Sequence, residues 1–147
     1  MFSINDRTRR RLSLLLTIAI GVGSISAAAG IFTDPSGELL GIAASLPYLQ
    51  KIPLIGGIWR SFLPAVIILL PLGAAHIAAT ALLLMRRENA HLWQLCCGAV
   101  FAVWALLQLI LLPERGVSAF YALLGAIEAL LAWAAMRAQE SSSDATE

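Results

Sequence analysis

Charged side chains are scarce in this sequence. Only 13 % of its 147 residues are Asp, Glu, Lys or Arg, where an ordinary soluble domain carries about a quarter. Histidine and cysteine stop at two each. These shortages exclude a good deal. The cysteines, Cys96 and Cys97, are neighbours inside an apolar run. Adjacent helical residues point about 100° apart, so the two thiols are not placed to bond each other. With no CxxC spacing, they read as small buried apolar groups. No HExxH, Gly-rich phosphate loop, nucleophile elbow or metal-spaced His/Cys cluster occurs. No catalytic residue, metal or cofactor is therefore implied. Nor is there a basic patch interleaved with aromatics, which argues against nucleic acid as a partner.

Hydrocarbon is what the chain has in excess. Hydrophobic residues make up 59 % of it, and the mean hydropathy is +0.82. A soluble domain of this size leaves too much of its chain exposed to hide that surface. Lipid removes the difficulty, so the bilayer is the first partner the sequence implies. The expected fold is all-α: a single-domain bundle of four transmembrane helices, with a short amphipathic helix in the first outer loop.

The expected spans are residues 12–32, 62–85, 92–112 and 117–136, each near the roughly 20 apolar residues that a crossing helix needs. The first follows Arg7, Arg9, Arg10 and Arg11 and also resembles a secretory signal ending at Ser26-Ala27-Ala28. Its apolar run continues past that site to Phe32, so it is expected to stay as a helix. Pro64 falls in the first turn of the second span, where its missing N–H costs nothing. Pro71 lies inside that span and predicts a kink. Residues 138–147 are polar and acidic and predict a disordered cytoplasmic tail.

Residues 33–61 form the long connection. Asp34-Pro35-Ser36-Gly37 is a turn or helix-start signature. Leu39, Ile42, Leu46 and Leu49 then recur at steps of three and four, which predicts an amphipathic helix in the interface or over the bundle mouth. Pro47, Pro53 and Gly56-Gly57 interrupt it. Tyr48 and Trp59 suit an interfacial aromatic belt, and Trp93 and Trp133 suit anchors at the opposite end. Trp104 is expected to be a packing residue.

Orientation follows from the positive charges. With the N-terminus inside, Arg7, Arg9, Arg10, Arg11, Arg86, Arg87 and Arg137 lie inside, and Lys51, Arg60 and Arg115 outside. That imbalance predicts cytoplasmic N- and C-termini in a plasma membrane.

Ionisable groups within apolar spans mark candidate sites. His76 in the second span and Glu128 in the fourth fall at nearly one depth, at about 1.5 Å rise per residue. They form either a titrating or substrate-binding pair or a polar clasp that fixes helix packing. Gln108, Tyr121, Ser24 and Ser26 lie toward the outer half. They predict either a polar pocket under the loop or ordinary interhelical hydrogen bonds. Small residues at Ala19, Gly23 and Ala27, and at Ala122, Gly125, Ala126 and Ala129, allow close helix approach, within the bundle or between copies.

The stretch from Pro53 to Trp133 carries a recognisable set of features. They are Pro53 and Pro64 before the second helix, Pro71-Leu72-Gly73 and the Arg86-Arg87 that closes that helix, Trp104 and Gln108, and Tyr121 to Glu128. In these it resembles a family of small bacterial four-helix membrane proteins. The family pattern has an Asn near the middle of helix two, where this chain has His76. The resemblance implies the four-span fold and no particular activity. Three function classes follow. The leading one is a non-catalytic membrane component, such as a small subunit, scaffold or self-associating protein. The others are a small transporter or channel using Glu128 and His76, and a lipid- or quinone-handling enzyme.

Overall fold

The computed structural model describes residues 6–113 and 115–144, with side chains described for 7–113 and 115–139. The regular structure of the described chain is all helical, without strands. Helix α1 runs Asp6–Thr33, α3 Leu63–Leu84, α4 Ala90–Leu111 and α5 Arg115–Asp144. These four are long and apolar enough to cross a membrane. Between α1 and α3 the chain makes a 3-10 turn at Ala43–Ser45, the one-turn helix α2 at Leu46–Leu49, and another 3-10 turn at Gly56–Ile58. The end capped by this connection is called the loop end below. The opposite end, with Arg10, Arg86 and Arg87, is the arginine end.

Local chemistry sets the helix boundaries. Pro35 disfavours helical backbone at Asp34, and α1 stops at Thr33. Helix α3 ends in a Schellman arrangement: Arg87 N donates to Leu82 O at 3.1 Å and Arg86 N to Leu83 O at 3.3 Å. Arg86 takes the left-handed position, φ 54°, that glycine usually fills. The Arg10 guanidinium also donates to Leu83 O at 3.3 Å, placing a cation at the negative end of the α3 dipole. Helix α3 continues through Pro71 without interruption.

Two expectations need correction. The apolar steps from Leu39 to Leu49 do not form one amphipathic helix. Leu39 is exposed in a turn, and only Leu46–Leu49 is α-helical, after the 3-10 turn at Ala43–Ser45. Gly37 and Gly41, at φ 81° and 68°, break the period that sequence spacing suggested. The tail is helical as far as Asp144 rather than coil. Neither Gly nor Pro follows Arg137 to stop the helix. Residues 145–147 lie outside the described residues.

The connection folds back onto the bundle. Asp34 brackets its start: Oδ1 accepts from Ser36 N at 3.1 Å and from the Ser36 hydroxyl at 2.6 Å, and Oδ2 accepts from Leu39 N at 2.7 Å. These bonds, the Ser36 hydroxyl foremost, hold the Asp34 carboxyl below its ordinary value. Phe62 N donates to Pro35 O at 3.0 Å and joins the two ends of the connection. Gly37 lies against the Phe62 ring, where a Cβ would come within 2.7 Å. Leu49, Trp59 and Phe62 then form one apolar cluster with Ala28 and Ile31 of α1 and Ala65 and Val66 of α3.

The bundle consists of two close pairs, α1 with α3 and α4 with α5, that meet along a second seam. Glycine makes each pair close. A Cβ on Gly21 would lie 3.1 Å from His76 Cβ, and one on Gly73 3.0 Å from Gly21 O. Across the other pair, a Cβ on Gly125 would lie 2.7 Å from Ala102 N, and one on Gly98 2.8 Å from Ala129 N. Such spacing is how helices approach without large side chains between them. The expected stripe on α1 is different: Gly23 faces open space and Ala19 is exposed. On α5, Gly125 is at the contact.

Candidate functional site

The strongest polar constellation lies in the arginine-end half of the bundle, where one side chain from each long helix converges. Glu128 of α5 and His76 of α3 are both 0 % exposed. His76 Nε2 lies 3.2 Å from Glu128 Oε2. The other carboxylate oxygen, Oε1, accepts from the Thr17 hydroxyl of α1 at 2.7 Å. Thr17 Oγ1 in turn accepts from Gln94 Nε2 of α4 at 3.2 Å. Each of these bonds joins one helix pair to the other. Thr80, one turn from His76, donates to His76 O at 2.8 Å within its own helix.

The hydrogen bonds fix the proton inventory of the pair. His76 Nδ1 lies 2.7 Å from Leu72 O. A carbonyl only accepts, so Nδ1 carries a hydrogen. Nε2 then has two options. It accepts from a protonated Glu128, or it is itself protonated and donates to a Glu128 carboxylate. Both descriptions place a single proton between Nε2 and Oε2, and both leave the pair with zero net charge. That answers the cost of burial, because an isolated charge at this position would be prohibitive.

An aromatic partition stands on the loop-end side of the clasp. Phe101 meets the His76 ring edge-on, with centroids 5.9 Å apart and planes at 78°. The Phe101 ring also lies 6.0 Å from that of Tyr121. Beyond it lies a cavity of about 460 Å³ under the connection, lined by Gln108, Tyr121, Trp104, Ser45, Trp59 and Ser118 among others.

The candidate residues therefore fall into two places. His76 and Glu128 meet directly, and Gln108 and Tyr121 share the loop-end cavity. Ser24 is buried but does not line that cavity, and Ser26 is exposed. Trp59 is not at a surface belt: it is 5 % exposed, inside the loop cluster, whereas Tyr48 is exposed. Trp104 packs against the Ile20, Leu72 and Phe101 cluster and also lines the cavity. Cys97 is buried, but Cys96 is exposed, so only one of the two thiols is a core group. Trp93 and Trp133 are about half exposed near the arginine end, and the Arg137 guanidinium sits 5.0 Å from the Trp133 ring.

No protein-family model, curated protein or solved structure matches this chain. Geometry alone therefore informs its function. Thr17, Gln94 and Ser45 were not singled out by the sequence, and Trp59 was read only as a belt residue. The first two are uncharged polar residues in apolar spans, and a search keyed to ionisable groups passes over them. What marks them is their convergence in space with Glu128 and His76.

Proposed function

We propose that this chain is a non-catalytic, multi-pass component of the bacterial plasma membrane, with both termini cytoplasmic. It acts as a small subunit, scaffold or self-associating unit held rigid by the Thr17–Glu128–His76 clasp. On this reading it belongs with the small four-helix membrane proteins it resembles. One observation carries the proposal: Glu128 and His76 are fully buried, Glu128 is matched by Thr17 and His76 from two facing helices, and the remaining ring nitrogen of His76 is matched by Leu72 O of its own helix. That is how a lock between helices is satisfied. The same carboxylate in a conduction path would face water or a substrate.

A second reading, proton-coupled transport, rests on the single proton shared by Nε2 and Oε2. Two variants separate them. Glu128→Gln keeps an acceptor for Thr17 and an N–H for His76 Nε2. A lock therefore retains its stability and its partner or oligomer size in mild detergent, while a transporter loses flux with its fold intact. Glu128→Leu strands Thr17 and His76 and costs a lock about 2 kcal/mol. Flux lost in Glu128→Gln with unchanged stability would overturn the lock. Recovery of the wild type as a lone monomer, with no partner, would overturn the subunit role.

A further inference from the structure

Two buried polar atoms at the loop end lack hydrogen-bond partners: Ser45 Oγ and Trp59 Nε1. Ser45 is 1 % exposed and Trp59 5 %. Leaving such a group unpaired costs about 1–3 kcal/mol, and folded proteins leave few of them. Both residues line the same cavity, of about 460 Å³. That volume lies within the range of small-molecule sites, about 300–1,000 Å³.

The lining defines the chemistry of an occupant. Ile31, Leu49, Phe62 and Leu69 supply apolar walls, and among the described residues no Asp, Glu, Lys, Arg or His takes part. A charged ligand would find no counter-charge there. An indole N–H only donates, and a hydroxyl can donate as well. Together they call for an acceptor oxygen. The mouth is the exposed part of the lining: Leu40, Leu111 and Tyr121 are about two-fifths exposed and Val117 about half. Leu111, Val117 and Tyr121 belong to the ends of two apolar helices, so the opening faces whatever phase those helices face.

We infer that this cavity binds a neutral amphiphile through a carbonyl oxygen. The oxygen accepts from Trp59 Nε1 and from the Ser45 hydroxyl, and the apolar body lies against Ile31, Leu49 and Phe62. Two sources share this chemistry, the ester carbonyl of an uncharged glycerolipid and the ring carbonyl of a quinone. The site is separate from the clasp, and its occupancy does not depend on what Glu128 does.

The test uses the full chain in a maltoside detergent, which has no carbonyl to compete. Dioctanoylglycerol and a short-tailed benzoquinone are titrated in turn, and bound ligand is counted by native mass spectrometry. Saturable one-to-one binding of either is expected, and the one that binds identifies the source. Trp59→Phe and Ser45→Ala should each weaken it by about tenfold, the effect of losing one good hydrogen bond. Trp93→Phe, outside the cavity, should leave it unchanged. Ser45→Ala removes an unpaired buried hydroxyl and so keeps the fold, which preserves the test if Trp59→Phe misfolds. Absence of saturable binding of both ligands, or wild-type affinity in Ser45→Ala, would overturn the inference.

Discussion

Thr17 shows how a residue without charge becomes central to a polar core. Its hydroxyl donates to Glu128 and accepts from Gln94. Thr17→Val keeps the shape and removes both bonds, leaving Glu128 Oε1 and Gln94 Nε2 unpaired. A loss of about 1–2 kcal/mol is expected. Thr80→Val is the comparison. Thr80 bonds only to its own helix, so its loss should be smaller. Unfolding in mixed micelles measures both, and equal losses would remove Thr17 from the clasp. His76 and Glu128 were legible in the sequence because charge within an apolar span stands out and helical rise converts residue number into depth. Thr17 and Gln94 were not, since a lone Thr or Gln in such a span is ordinary and only convergence in space gives it a role.

At the scale of elements, the glycine seams make unequal demands. Gly125→Ala would press a methyl against the Ala102 backbone, which has no freedom to move aside. Backbone shift of this kind costs about 1–3 kcal/mol. Gly23→Ala meets nothing and should be neutral or slightly stabilising, because alanine is the better helix former. The two variants, unfolded side by side, separate close packing from helix propensity. A neutral Gly125→Ala would mean that α4 and α5 are not held as closely as described.

The connection carries its own pH dependence. Asp34 has a folded pKa below its ordinary value of 3.8. Its carboxylate therefore stabilises the folded connection above that value, and the contribution is lost as pH falls through the lower folded pKa. The Leu39 amide should lose protection from hydrogen exchange in this acid range, once intrinsic rates are allowed for. Asp34→Ala should abolish the dependence, and an unchanged pH response in that variant would exclude the bracket. Long helices were easy to read because a 20-residue apolar run specifies itself. The connection was hard because glycines in the left-handed region, and contacts such as Gly37 with Phe62, depend on chain brought back from far away.

At the scale of the whole molecule, the usual distribution of residues is inverted. Ser13, Thr17, Thr80, Gln94, His76 and Glu128 are buried, while Leu15, Ile67, Ile110, Leu123 and Leu130 are more than half exposed. Even in the best-buried apolar window, 39 % of the residues are inside. Outward faces so apolar suit hydrocarbon and would associate in water. The proposed orientation makes a direct prediction. Reporter fusions at both ends should report the cytoplasm, and a thiol label on Lys51→Cys in a chain without Cys96 and Cys97 should react from outside intact cells. A label that needs permeabilised cells would reverse the assignment of sides.

The division into two helix pairs also divides the chain in order of synthesis. Residues 6–84 complete one pair and its capping connection before the 90–144 half exists. Until that half emerges, His76 and Thr17 have no Glu128 to meet, and the first half waits in the membrane with its polar face unanswered. Whatever holds the nascent chain during that interval, translocation machinery or water at the seam, must tolerate a half-made bundle whose carboxylate partner arrives only with the second pair.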